Sequence, residues 1–453
     1  MQTRETVAAA SPVREGAFRW TNGIPLHACP VFPSLLLHLA IAVTLWCSGA
    51  IPALAGSLDL GSNHAGISIG NSKNWTGLRI NAIDREVAKI NGINITLLRA
   101  RDNKEAEVNG ISFGLIGPDA GTLRGIHAGA LGVSASRDIK GISLGLAGAG
   151  SGGGITGIAV GGLGIGAGED MTGIALGGLG AGARGNLAGI LLGGVGAGVG
   201  EDAAGIVIGG LGAGAGGNMT GISIGGFGSG AGDNIRGFSL ALLGSGAGGN
   251  LTGVSIGGLG AGVGGSAGGI LIGGFGAGAG DDMTGIAIGG LGAGAGGAMT
   301  GITIGGLGAG AGDNMRGIAF ALLGAGCGDS MTGITIAGLG AGCGDRLTGL
   351  AAAGLGAGAP VVRGVAIAGF RSGGKDIKGA TLTAGWVKVE EGGRLTGLST
   401  AVFNQIKGKQ TGLAIGMVNF ARSLNGIQIG LINHVPENPK YFRTLPILNA
   451  HFE

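Results

Sequence analysis

The sequence predicts an all-β protein, a β-solenoid of about 16-residue coils, and three observations predict it. Glycine occupies every sixteenth position from Gly141 to Gly349, fourteen times without a slip, each opening a near-copy of one phrase. Isoleucine and leucine hold fixed places in every copy, two apart, which is the period of a strand. The 113 glycines among 453 residues argue against helix, since each interior glycine costs a helix about 1 kcal/mol. Disorder and collagen are both poor fits. The chain is 45% hydrophobic and only 12% charged, and its glycines lack a period of three.

The copy opening at Gly285 shows how one unit is expected to fold. Ile286 and Ile288 share a strand face, which we read as the core face. Leu291 stands at odd spacing from Ile288, and Ala293 and Ala295 share its parity, so the alternation breaks once at Gly289-Gly290. That break predicts a bend between two short strands, with Gly296, Gly297 and Ala298 turning into the next copy. On this parity the slot between the isoleucines points outward. It holds Ser223, Ser255, Thr303 and Thr335, but also Leu191, Val207 and Leu271. The threonines that precede each glycine (Thr172, Thr220, Thr252, Thr284, Thr300) are expected to point inward.

An up-and-down β-barrel, with one strand per copy, is the alternative. Acidic Glu169, Glu201 and Asp233 alternate at the turn with Gly185, Gly217 and Gly249, as the two ends of a barrel would require. The scarcity of aromatics (4%), the broken parity and the lapse of alternation at Asp313, Asp329 and Asp345 favour the solenoid.

Four regions follow. Residues 1–55 read as a signal peptide: an apolar run at 32–46 leads to Ala53-Leu54-Ala55, a small-x-small cleavage site. A short anchor that is kept is the other reading, although the run is brief for a span. Degenerate repeats occupy 56–140, regular glycine-rich repeats 141–359, and degenerate repeats with a cap 360–453. The regular region records its own growth, because the phrase at 233–248 returns 80 positions later at 313–328. Such block copying suits a stack whose units need only their neighbours. The flanks carry most of the charge, for example from Arg99 to Glu107, and vary in unit length, so they should bulge where the centre is smooth. Pro360 marks an expected irregularity.

Cys29 and Cys47 would leave with the signal peptide. Cys327 and Cys343 stand one unit apart at the same place in the phrase, neighbours at about 4.8 Å along a stack. Two buried thiols fit aligned parallel strands better than a disulfide, which would have an awkward torsion. Near the carboxyl end, Asn404, Asn419 and Asn433 close successive strands where we place the corner glycine of central copies such as Gly292. Asparagine and glycine both reach the left-handed conformation, and asparagines stacked at a corner can hydrogen-bond along the ladder. Gly412-Leu-Ala-Ile-Gly-Met-Val-Asn419 and Gly426-Ile-Gln-Ile-Gly-Leu-Ile-Asn433, followed by Leu445-Pro-Ile-Leu-Asn-Ala-His-Phe452, resemble a family of uncharacterised bacterial surface-repeat proteins. The resemblance covers the stretch from around Arg394 to the carboxyl terminus and implies export and surface display, with no catalytic residues to carry over.

Other functions find little footing. The net charge is +3, and no lysine occurs between Lys140 and Lys375, so no basic face exists for nucleic acid. Glycine fingerprints such as 292–297 are by-products of the period. Gly369-Phe-Arg-Ser-Gly-Gly-Lys375 resembles a phosphate loop but has Asp376 where Ser or Thr should hold magnesium. Dispersed histidines offer no metal site, and no catalytic triad or carboxylate pair is visible. The acidic turns (Glu169-Asp170, Glu201-Asp202, Asp281-Asp282) read as solvated loops. We therefore expect no cofactor and no enzyme. The expected protein is exported to the cell surface, outer membrane or medium as a spacer or adhesive element. Envelope components are its expected partners, with self-association and membrane association open, and an ice- or ligand-binding solenoid is the further alternative.

Overall fold

The computed structural model describes residues 56–452, which form one β-solenoid of about 22 turns, 72% strand. The expected leader at 1–55 lies outside the described residues. A central coil contributes a long strand, such as Met219–Gly225, and a short strand, such as Gly228–Ala231. Each long strand lies parallel to those of the coils before and after, with Gly205, Gly221 and Gly237 in register. Short strands do the same through Gly212, Gly228 and Gly244. The long-strand sheet thus runs the length of the stack, on the order of 100 Å at ~4.8 Å per coil, and the short-strand sheet joins it from Asp119 onward. This pairing corrects the barrel alternative: a barrel needs antiparallel neighbours closing on themselves, and here the stack stays open.

The glycine that opens each phrase is required by its neighbour. Gly221 has φ +120°, and a Cβ there would lie 2.1 Å from the carbonyl oxygen of Gly205. At the corner a Cβ on Gly225 would lie 1.8 Å from the Gly228 carbonyl oxygen, so the chain doubles back tightly, and in the central coils only glycine or alanine, as at Ala241 and Ala321, occupies this position.

That tight corner corrects the facing assigned from the sequence. The isoleucines point outward and the slot between them points inward: Ile174 is 37% exposed, whereas Ala175 is fully buried. The two sheets lie too close for stacked isoleucines, so the lumen takes Met171 and Ala175 from the long strand and Ala181 and Ala183 from the short one. Leu179 sits outside at the corner, and the inward residues keep a single parity. The apparent parity break came from counting Leu291, a corner residue, as core. Large and small lumen residues offset one another in several coils, although Leu187 and Leu191 are both large. Where Met219 pairs with Ser223, the larger Leu271 goes with Ala267 and Val207 with Ala203, as a close-packed interior demands.

Both ends are closed. Ser57–Ser62 pairs antiparallel with the first coil strand, Ala65–Gly70, and Thr444–His451 pairs antiparallel with Val418–His434. The flanks do bulge, with register shifts at Ala120/Thr122, Gly374/Asp376, Val389/Arg394 and Ile406/Lys409. The short strand before Pro360 shrinks to Gly356–Gly358. Among the described residues no helix is long and apolar enough to cross a membrane.

Candidate functional site

The outer surface is the largest candidate, and its two faces differ. On the long-strand side each central coil presents a threonine or its substitute, then two large aliphatics, then a corner residue: Thr220, Ile222, Ile224 and Phe227 in one coil. The threonine row is therefore outward, a second correction to the expected facing. It is broken by Ala188, Ala204, Arg236, Gly268 and Arg316, so no continuous hydroxyl ladder forms. Beside it run unbroken apolar ladders, with Ile222 38%, Ile318 48% and Phe275 59% exposed. On the short-strand side the outward positions hold glycine alone, such as Gly228 and Gly230.

The hydroxyls expected outside are sealed in the lumen. Ser223 accepts from Ser229 at 2.7 Å, and Ser229, Ser239, Ser245 and Ser255 continue the chain at 2.8–2.9 Å, each hydroxyl satisfied by another. Thr303 and Thr335 are buried in the same slot. In the amino-terminal coils this slot becomes strongly polar, holding Ser68, Arg79, Asn94, Ser112, His127 and Ser143, all buried. The Arg79 guanidinium donates to Asp84 at 2.5 Å, Asn94 at 2.8 Å and Asn71 at 3.0 Å, and Asp84 also accepts from Thr96 at 2.6 Å. A buried charge persists only when paired and hydrogen-bonded in this way. His127 Nδ1 lies 2.5 Å from the Ser112 hydroxyl, and burial holds its imidazole down at about 4. Sequence reasoning missed these residues because it placed the slot outside. Their signal was present: a polar residue between two aliphatics, as in Leu78-Arg79-Ile80.

The carboxyl-terminal asparagines do form a ladder. Asn404 donates to Asn419 and Asn419 to Asn433, both at 2.7 Å, and each also donates to a backbone carbonyl. Their place differs from expectation. Register aligns Asn404 through Val387, Ser372 and Ala357 with the inward alanine of the short strand, and none of the three has a positive φ. They are lumen residues whose side chains replace alanine. The expected left-handed corner belongs instead to the phrase-opening glycines.

Cys327 and Cys343 are register partners with free thiols. Burial, then the neighbouring Cys343, pushes the Cys327 thiol up to about 12, which makes it a poor nucleophile. The acidic turns serve the coil that follows. Asp170 accepts the Asn186 backbone N–H at 2.7 Å, Asp202 that of Asn218 at 2.7 Å, and Asp282 that of Ala298 at 2.8 Å. Among the described residues no group of three or more His, Cys, Asp or Glu could hold a metal ion.

In the carboxyl-terminal coils the bare side gains side chains. Arg371 lies 5.6 Å over Trp386, whose ring is 5.8 Å from Phe403, and Phe420 stacks on His434 at 5.6 Å. Phe403, Phe420 and His434 line a shallow groove of about 420 Å³ together with Glu391, Gln405, Lys407, Val418 and Arg422. Charges of both signs line it, and Lys407 pairs with Glu391 at 3.6 Å. Comparison with protein-family models, curated proteins and solved structures finds no match to this chain.

Proposed function

We propose that this chain is an exported structural repeat protein, a rod that acts as a spacer or adhesive element at the bacterial surface and has no catalytic role. One observation carries the reading. The same coil stacks in register along the chain while its polar lumen groups are spent largely on one another and on the backbone, so its chemistry is used to hold shape. The strands begin at Ser57 with the capping strand, just beyond the expected cleavage after Ala55, so removal of the leader would leave every described strand in place. The resemblance of the carboxyl-terminal stretch to surface-repeat proteins supports the same address. Ice binding finds less support, because Arg236 and Arg316 interrupt the outward threonine row. Protease treatment of intact cells, combined with fractionation, tests the address: the protein is expected to be cleaved from outside, and confinement to the cytoplasm would sink the reading.

A further inference from the structure

We propose that the isoleucine face of the central coils seats a second copy of this chain, the two copies packing long strands against long strands. Soluble monomers rarely expose a contiguous apolar patch above a few hundred Å². Here apolar ladders run without a break through the long strands and the corner beside them, including Ile222, Ile302, Ile318, Phe227 and Phe275, each 38–59% exposed. Thirteen coil steps separate Gly141 from Gly349. At ~4.8 Å per step and ~20 Å of strand width, that face covers on the order of 1,200 Å² per copy. A stable interface of standard size needs about 800 Å² from each partner.

Geometry and composition favour a second copy over other occupants. Two such faces share one repeat distance, so every ladder of one finds a groove of the other, as identical side chains do when paired sheets interdigitate. A lipid-facing surface would carry interfacial Trp, Tyr, Lys or Arg at its borders. Between positions 141 and 374 there is no Trp, Tyr or Lys, the arginines come singly, as at Arg236 and Arg316, and acidic residues such as Glu169, Glu201 and Asp281 stand in the neighbouring turns. At the ends the antiparallel caps break the parallel register that a further coil would continue, and Pro446 removes a donor from the last strand. The faces therefore remain as the route to association. In these central coils the opposite side offers only glycine, with no apolar side chains to bury. Pairing depends on coil geometry alone, whatever compartment the chain occupies.

Sedimentation velocity on the purified protein over a concentration series tests the pairing. Three combined variants are compared with the parent: Ile190→Lys, Ile222→Lys, Ile286→Lys and Ile302→Lys; the same four positions to Thr; and Gly198→Lys, Gly228→Lys, Gly244→Lys and Gly262→Lys on the other side. The parent and the glycine-side variant are expected to sediment as dimers. The isoleucine-to-lysine variant should be monomeric, its association weakened at least tenfold with an unchanged far-ultraviolet spectrum. The threonine set keeps the β-branch and so guards against misfolding by lysine; it should weaken association in the same direction. A parent that stays monomeric throughout overturns the proposal, as does association that survives both isoleucine-face variants. A monomeric parent that floats with phosphatidylethanolamine–phosphatidylglycerol vesicles overturns it in favour of lipid.

Discussion

Gly221 and Gly228 lie in the same coil, one in the long strand and one in the short, and they are glycine for opposite reasons. A Cβ on Gly221 would drive into the Gly205 carbonyl of the coil before, at a φ of +120° that side chains rarely adopt. A Cβ on Gly228 would meet nothing within 4 Å. The first position is held by its neighbour and the second is open to the outside. The same contrast separates the lumen from the outer faces: inward residues answer to the stack, and outward residues answer to whatever lies beyond it. A composition that reads as uniform glycine enrichment thus contains two populations with different physics.

The sharpest way to break that comparison is Gly221→Ala. Both the left-handed backbone and the overlap with Gly205 must be relieved, at a cost of about 3 kcal/mol or more. Because each coil leans only on its neighbours, the damage should be local. Hydrogen exchange is expected to rise in the strands Ala203–Gly209, Met219–Gly225 and Ile235–Ala241, with a lowered unfolding midpoint. Unchanged protection there would show that the coils are not stacked through this glycine.

The sequence disclosed the stack more readily than its inside. A fixed period forces equivalent residues into ladders, whichever way they face, so the solenoid, its smooth centre and its bulged flanks were all legible. Facing was not, because alternation of two is symmetric and hydrophobicity is the usual tiebreaker. Here it breaks the tie the wrong way. The corner Gly225-Gly226 closes the lumen to a width that admits Ala175 and Ser223 but leaves Ile174 and Ile222 outside. The size of the residues in the slot was the better guide, since Ala and Ser recur there far more often than leucine. The same error hid Arg79 and His127. It also placed Asn404 at a corner, because the carboxyl-terminal coils are shorter than the central ones and the phrase alignment slips by one.

His127 tests the held positions by titration. Burial lowers its imidazole to about 4 from an ordinary 6.5, with the backbone bond to Arg124 opposing, so the folded coil prefers the neutral ring. The unfolded chain takes up its proton first as pH falls. The contribution of the neutral ring is therefore complete above about pH 6.5 and is lost progressively down to about pH 4, up to about 3 kcal/mol. Melting midpoints scanned from neutral to pH 4 should fall through that window. His127→Gln should flatten that part of the fall, and a parent curve already as flat as the variant's would place the ring in solvent.

Gly228→Ala is the smallest expected effect and the most telling about the outside. Glycine in a strand interior costs roughly 0.5–1 kcal/mol relative to alanine, and nothing within the chain requires it here, so the substitution should leave the melting midpoint level or raise it slightly. Alanine at Gly228 would thus act with the opposite sign to alanine at Gly221, and a calorimetric comparison of the two variants reads the difference directly. Two bare rows share this openness, Gly228, Gly244 and Gly340 in one and Gly166, Gly198 and Gly262 in the other, so the fold forgoes stability at several coils. Folding alone does not account for those rows. A destabilised Gly228→Ala would mean that the short sheet is held by contacts along the stack after all, and the two populations of glycine would collapse into one.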